Sequence, residues 1–391
     1  MDVDAPPLTV AAGREACRAA PAPNVRLAVA STEGRPAVAP NDGARVGAAR
    51  GANNFDALRL LCALLVVYGH EGPDATGTAG LRLLVFLAIS GYLVTGSWRS
   101  DPHPGRFLLR RLLRLWPAHA VAIVICAALS FVWPAPDMPE LSRLASLFYL
   151  SNLWFSGFDW GFFPFAMARM NQSLWMLTTE VDLYLALALV AVAHGRLLAP
   201  VAAVVALAAA AFSTLEGPGS LGGLLQSWSL FLSGFFCMGV LLREWPALRR
   251  PAAVALQVLA GVVLWAGLGQ RTAGLLLILP SAAVWIGEQS WPVCRSAARF
   301  GDLSLGVFLW GWPVHQVTAL WIDPATPMLL RFAVVAAQAL ALAALSWHLI
   351  EARALRLKPA RPAAGHPNAR AQAAAAAADP GTLSVARQAQ G

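Results

Sequence analysis

The sequence predicts an all-α integral membrane protein, a bundle of about ten transmembrane helices between disordered tails. The chain has 391 residues, of which 58% are hydrophobic and 13% are charged, and its mean hydropathy is +0.58. A soluble domain carries about a quarter charged residues, so this chain lacks the polar side chains that would cover a water-exposed fold. The net charge is +8, but the basic residues flank apolar runs, which favours anchoring in a lipid bilayer over binding to nucleic acid.

The two ends of the chain differ in composition from its centre. Residues 1–52 are rich in Ala, Pro and Gly and mix charges of both signs, a composition typical of a disordered cytoplasmic tail. Residues 359–391 contain a long alanine run and predict a second disordered cytoplasmic tail. The sequence between them, 53–358, is predicted to form one multi-spanning domain.

A helix needs about 20 residues to cross the hydrocarbon of a bilayer. Ten apolar stretches in this domain come close to that length. They are 55–70, 80–97, 116–133, 173–193, 197–212, 222–242, 251–268, 273–287, 303–321 and 328–349. With the N-terminal tail placed inside, the inside segments hold 23 Lys and Arg residues and the outside segments hold 5. This bias predicts ten spans with both termini in the cytoplasm.

The first span carries an arginine and a histidine. Ionisable residues within a span are costly and are functional candidates. Arg59 and His70 are eleven residues apart, so they lie roughly 16 Å apart along the helix axis and on nearly the same face. Asp56 stands three residues before Arg59, a spacing that also allows a purely structural ion pair, with His70 at the interface.

A basic segment precedes the third span. Arg106, Arg110, Arg111 and Arg114 fall within about 140° of a helical projection, with leucines and Phe107 opposite. This pattern predicts an amphipathic helix at the cytoplasmic surface. Its arginines either contact lipid headgroups or hold a phosphorylated ligand, because guanidinium groups pair bidentately with phosphate.

The fourth span contains two carboxylates. Glu180 lies about 10 Å from the outer end of the helix, on a face shared with Trp175 and Tyr184. Asp182 points about 200° away from Glu180, so the two carboxylates are expected to have different roles. Before this span, the aromatic stretch 134–172 predicts either interfacial structure that caps a cavity or a membrane aromatic belt.

The ninth span is interrupted by Gly311 and Pro313. Such residues loosen a helix in mid-membrane and are tolerated where a neighbouring helix or a cavity satisfies the backbone. His315 follows toward the outer side, which makes it a further candidate.

These segments, in this order, resemble the membrane-bound acyltransferase family 3, O-acyltransferases that modify bacterial surface polysaccharides and other glycosides. The resemblance covers about residues 53–358. It is carried by Arg59 with His70, the Phe-Leu-Ala-Ile-Ser-Gly-Tyr-Leu run at 86–93, Arg111 and Arg114 before Pro117, Ser173-Leu174-Trp175 leading to Glu180, the ninth span, and the closing Trp-His-Leu-Ile-Glu at 347–351. Many members have histidine where this chain has Gly311, so no catalytic role is assigned there.

The resemblance implies an acyltransferase of the bacterial inner membrane that uses cytoplasmic acyl-CoA, expected to be acetyl-CoA, as donor. It implies no permanently bound cofactor and no metal. Arg59, Arg111 and Arg114 would bind the donor, and His70 would act as general base on a carbohydrate or glycoside hydroxyl. Glu180 would orient the His70 imidazole, stabilise its charged form or contact the acceptor. The residues expected to bind the acceptor are Ser173, Trp175, Asp182 and His315.

One alternative from another functional class stays open. A proton-coupled exporter of acylated glycosides or small molecules would use His70 and Glu180 as a proton relay and would do no chemistry. The acceptor, the acyl chain length and the oligomeric state are left open by the sequence.

Overall fold

The computed structural model describes residues 53–72, 80–133, 139–156, 171, 173–212, 228–294 and 301–359, and these parts are all-helical. The predicted tails, apart from Pro359, lie outside the described residues. Each of the ten predicted spans overlaps a helix of the described residues, and the first residues of the predicted span 222–242 lie outside them. The helices are α1 Phe55–His70, α2 Leu81–Ser100, α3 Pro104–Val132, α4 Pro139–Tyr149, α5 Leu174–His194, α6 Leu198–Phe212, α7 Trp228–Glu244, α8 Pro251–Val262, α9 Arg271–Glu288, α10 Ser304–Thr318, α11 Met328–Ser346 and α12 Ala352–Leu355.

Four helical stretches of the described residues are long and apolar enough to cross a bilayer. They are Leu81–Ser100, Pro104–Val132, Leu174–Ala211 and Met328–Leu355. The third of these includes both α5 and α6. The backbone is extended at His194, with φ −165° and ψ 99°, so the chain changes direction between the two helices.

The third predicted span and the basic segment before it form one continuous helix, α3, of 29 residues. His103 caps its N-terminus, since its side chain accepts a hydrogen bond from the Arg106 backbone N–H, and Pro104 occupies the first turn, where its missing N–H costs nothing. Pro117 lies inside the helix. The continuity of α3 places the arginines of the basic segment directly below its membrane part.

The described part of the aromatic stretch, 139–156, packs along α3. α4 packs back along α3, with a hydrogen bond of 2.9 Å from Ser146 Oγ to Ser130 Oγ. The 3-10 turn Leu150–Trp154 then lies beside the middle of α3, where Trp116 Nε1 donates to the Leu153 carbonyl at 3.0 Å. The segment therefore follows α3 from Ser130 to Trp116, about 21 Å of helix, and the face of α4 that is buried consists of Ser142, Ala145, Ser146 and Tyr149. Residues 157–170 lie outside the described residues.

The helices nearest the polar side chains approach one another closely. A Cβ added at Gly91 of α2 would lie 2.0 Å from the Phe236 carbonyl oxygen of α7, so only glycine permits this contact. The preceding residue, Ser90, is buried and is held at a fixed depth in the bundle by this contact.

Candidate active site

A polar cluster forms around Asp302, the residue two positions before α10. We call it the inner polar cluster, and the cluster around His70 the outer cluster, after the two sides of the predicted topology. Its Oδ2 accepts hydrogen bonds from Arg59 Nη1 at 3.0 Å and from Arg114. Its Oδ1 accepts from the Ser304 backbone N–H at 3.2 Å and from the Ser304 hydroxyl at 2.5 Å. Asp302 thus brings Arg59 of α1 and Arg114 of α3 together, which a shared donor site would require. No role was predicted for Asp302 from the sequence.

The C-terminal motif joins the same cluster. Glu351 is buried, with its Oε2 3.8 Å from Arg114 Nη1 and its Oε1 accepting from the Ser346 hydroxyl at 3.2 Å. The Arg114 guanidinium also lies 6.0 Å from the centre of the Trp347 ring. The two carboxylates that neutralise Arg114, those of Asp302 and Glu351, are therefore both side chains of the protein itself.

Arg111 is in a different electrostatic situation. Its guanidinium carbon lies 5.9 Å from the ring centres of Phe107 and of Tyr184, and within the described residues it forms no ion pair. Its Nε is buried without a hydrogen-bond partner. Arg111 also lines a cleft of about 320 Å³ between the leucine-rich faces of α3 and α5. As the arginine that forms no ion pair in the described residues, Arg111 is the best placed of the three to meet an anionic ligand.

The basic segment does not divide into a leucine face and an arginine face as the projection predicts. Leu109 and Leu112 are 42% and 48% exposed, while Phe107, predicted on the leucine face, is fully buried. Arg110 is buried and donates to Asp101 at 2.7 Å. Leu109 and Leu112 therefore face outward, and Arg110 and Phe107 face the interior of the protein.

Asp101, between α2 and α3, is the counterion of the other two arginines. Arg106 binds it through two hydrogen bonds of 2.5 and 2.9 Å, and Arg110 binds the same carboxylate. The hydrogen bonds from Arg106 and Arg110 hold the pKa of Asp101 well below its usual range. Only Arg111 and Arg114, of the four arginines, are turned toward the inner cluster.

Glu180 is buried beside the inner cluster. Its Oε1 accepts hydrogen bonds from the hydroxyls of Ser90 and Tyr184, and Tyr184 is the ring next to Arg111. Among the hydrogen bonds of the described residues, none joins Glu180 to His70. The predicted orientation of His70 by Glu180 is therefore not formed, because Glu180 is held at the level of Ser90.

The residues predicted to bind the acceptor are not brought to one place. Ser173 is buried at the start of α5, where its backbone N–H donates to Asn171 Oδ1 at 3.0 Å, and Asn171 in turn donates to the Leu309 carbonyl of α10. Trp175 is half-buried, and Asp182 is exposed. Of the four, only His315 lies beside His70.

The outer cluster is built where α1 ends against α10. The ring centre of His70 lies 4.7 Å from that of Trp312 and 6.4 Å from that of His315. His70 Nε2 is buried and has no hydrogen-bond partner in the described part of the chain. A Cβ added at Gly311 would lie 2.6 Å from Val67 Cγ2, so the glycine lets α1 and α10 touch and brings His70 against Trp312.

Sequence reasoning overlooked Glu71, which follows His70. Glu71 is buried, and its Oε1 lies 2.7 Å from Nδ1 of His315. A carboxylate just after the end of a span is typical of an exposed cap. The one signal that could have distinguished it is its place directly beside a candidate catalytic histidine.

A family model matches most of the chain. The model of acyltransferase family 3, described as an acyltransferase domain, matches residues 53–348. The chain belongs to this family. The matched region contains the arginines of the inner polar cluster and both histidines of the outer cluster, and Glu351 lies just beyond it.

Three named proteins are among those similar to the chain. A protein of Komagataeibacter xylinus named as a membrane-bound transacylase, BcsY, is 29% identical over 66% of this chain and 72% of its own length. Nodulation protein 10 of Rhizobium leguminosarum bv. viciae is 27% identical over 78% of this chain and 94% of its length. The peptidoglycan O-acetyltransferase OatA of Listeria monocytogenes is 26% identical over 76% of this chain but only 55% of its own length. No solved structure matches the chain.

Proposed function

We propose that this chain is an inner-membrane O-acyltransferase of about ten spans with both termini in the cytoplasm. It transfers an acyl group, in the first instance acetyl, from cytoplasmic acyl-CoA to a hydroxyl of a carbohydrate or glycoside. The domain responsible comprises residues 53–358. The names of the relatives support this substrate class, since one of them is a peptidoglycan O-acetyltransferase.

The observation that carries the proposal is the Nε2 atom of His70, which is buried and has no hydrogen-bond partner among the described residues. His70 lies at one end of α1, and Arg59 lies near the other end. An imidazole is the side chain whose ordinary pKa lies closest to neutrality, which makes it the usual general base. An acceptor hydroxyl would supply the hydrogen bond that His70 Nε2 lacks and would lose its proton to that atom as its oxygen attacks the acyl carbon.

The inner cluster supports a donor site. Arg111, which has no ion pair in the described residues, would bind a phosphate of the donor, while Asp302 holds Arg59 and Arg114 in place beside it. The eleven residues from Arg59 to His70 give a rise of roughly 16 Å, along which the arm of the donor would carry its thioester. Glu180, bonded to Ser90 and Tyr184, would balance the positive charge of this region.

The test uses membrane vesicles from a strain that lacks the gene and expresses the chain from a plasmid. The vesicles receive acetyl-CoA labelled in the acetyl group, and ester-linked label in the carbohydrate fraction is measured as label released by mild alkali. We expect incorporation with the wild-type chain and none with His70→Ala at equal protein amount. His194→Ala is the matched control, since His194 is exposed at the end of α5. Incorporation by His70→Ala at the wild-type rate would remove His70 from the mechanism.

The same preparation distinguishes the exporter. An acyltransferase releases free CoA thiol in step with label incorporation, whereas an exporter releases none. Release of thiol that depends on His70 supports transfer, and transport of acylated glycoside without thiol release would support the alternative.

A further inference from the structure

A second carboxylate and imidazole pair lies beside His70. Glu71 Oε1 is 2.7 Å from His315 Nδ1, and both residues belong to the outer cluster at the contact of α1 and α10. The Glu71 side chain is 3% exposed and that of His315 is 23% exposed. A buried carboxylate bonded to one nitrogen of an imidazole fixes the ring orientation and leaves the other nitrogen for chemistry.

Glu71 is itself held in place from a third helix. Arg331 of α11 donates to the Glu71 backbone carbonyl, and its Nε lies 3.7 Å from Glu71 Oε2. The carboxylate therefore has one oxygen for Arg331 and one for His315. The orientation of the His315 ring on α10 therefore depends on Glu71 at the end of α1, and the position of Glu71 depends in turn on Arg331 of α11.

The His315 ring and the His70 ring share one aromatic neighbour. Trp312 lies 4.7 Å from His70 and 5.7 Å from His315, and the two imidazoles are 6.4 Å apart. Two imidazoles at this separation can reach different atoms of one reacting group. With His315 Nδ1 engaged by Glu71, only its Nε2 is available to a substrate.

We propose that His315 is a second catalytic imidazole and that Glu71 is the positioning residue that holds it. The inference rests on the proposed function, because it assigns the second role to the same acyl transfer. The acceptor oxygen bonds to the thioester carbon and its proton passes to His70 Nε2. The carbonyl oxygen takes up the negative charge and accepts a hydrogen bond from His315 Nε2–H. The carbon–sulfur bond then breaks, and the sulfur leaves with the bonding electron pair and takes the proton from His70.

This assignment gives the carboxylate a specific electrostatic task. An imidazole that donates from Nε2 while Glu71 occupies Nδ1 carries a proton on both nitrogens, and the Glu71 charge stabilises that cation. A neutral glutamine at position 71 keeps the shape of the side chain and removes this stabilisation. Loss of a single preorganised donor to a developing oxyanion typically costs about 10²–10³ in turnover.

The test uses the labelled acetyl-CoA assay in membrane vesicles with Glu71→Gln, His315→Gln and the double variant. We expect each single variant to lower the rate at saturating acetyl-CoA by about 10²–10³-fold and to leave the apparent KM for acetyl-CoA unchanged. We expect the double variant to be no slower than the singles, because residues that act as a unit are not additive. Glu71→Asp should recover part of the rate, and Glu140→Gln, at an exposed carboxylate of α4, is the matched control.

Arg331→Gln separates catalysis from a structural tie between helices. It removes the two contacts from α11 to Glu71 but leaves the hydrogen bond between Glu71 and His315, so we expect a lower unfolding temperature and a loss of turnover smaller than that of Glu71→Gln. Losses that multiply in the double variant, or full turnover by folded Glu71→Gln or His315→Gln, would overturn the assignment. Loss of turnover in Arg331→Gln equal to that in Glu71→Gln would also overturn it. Activity of His70→Ala would instead count against the proposed function, so the two failures are distinguishable.

Discussion

Arg111 and Arg114 stand three positions apart on α3, and the structure predicts opposite consequences for removing them. Arg114→Ala takes one of the two cations from Asp302 and leaves Glu351 without its cation at 3.8 Å. Breaking a buried ion pair by removing one partner costs about 3–5 kcal/mol. At about 1–2 °C per kcal/mol for a chain of this size, the unfolding temperature falls by about 3–10 °C.

Arg111→Ala orphans no carboxylate, since Arg111 has no ion pair in the described part of the chain. It therefore leaves the unfolding temperature close to that of the wild type. If Arg111 binds a donor phosphate, the variant loses a charge-assisted hydrogen bond of about 1.5–3 kcal/mol. This loss corresponds to an increase of about 10- to 150-fold in the apparent KM for acetyl-CoA.

Two measurements test whether Arg111 and Arg114 differ in this way, one on detergent-solubilised protein and one on membrane vesicles. The unfolding temperature is followed by tryptophan fluorescence, and the apparent KM comes from the labelled acetyl-CoA assay. Arg196→Ala, at an exposed arginine between α5 and α6, controls for loss of a positive charge. The reasoning is refuted if Arg111→Ala lowers the unfolding temperature as much as Arg114→Ala and leaves the KM unchanged.

Two further predictions concern the packing and the charge network around the site. Gly311→Ala places a Cβ 2.6 Å from Val67 Cγ2, an overpacking that costs about 1–3 kcal/mol; we expect a lower unfolding temperature and lower turnover, and recovery of both when Val67→Ala is added. Asp101 has a pKa held below its usual range by Arg106 and Arg110, so its ionised form stabilises the fold above about pH 4 and that stabilisation is lost as the pH falls further. The unfolding temperature of Asp101→Asn should therefore lie below that of the wild type at pH 7 and approach it under acid conditions, and a gap that does not narrow would contradict this.

The positions of the helices could be predicted from the sequence because apolar runs near the length of a bilayer crossing have few alternatives. The alignment of Arg59 with His70 follows from helix geometry alone and needs no tertiary information. The closing motif at 347–351 was identified by resemblance, and the structure places Glu351 beside Arg114.

The partners of these side chains could not be predicted in the same way. Asp302 is 243 residues from Arg59, and no local pattern connects them. Glu180 and His70 both lie in apolar helices on the outer side of the predicted topology, so the sequence suggests that they meet, yet helix rotation and depth direct Glu180 to Ser90. The direction in which the arginines of the basic segment point could not be predicted either. An amphipathic pattern is the same whether its polar side meets water or the interior of a bundle.

The ion pairs of Asp302 have a consequence for how the chain is made. Arg59 and Arg114 are synthesised 243 and 188 residues before their shared carboxylate. At about 5–20 residues per second, Arg114 waits roughly 10 to 40 s for Asp302 to leave the ribosome. During that time both arginines lack the carboxylate that they share in the folded chain. The inner polar cluster can therefore form only after almost the whole domain has been synthesised.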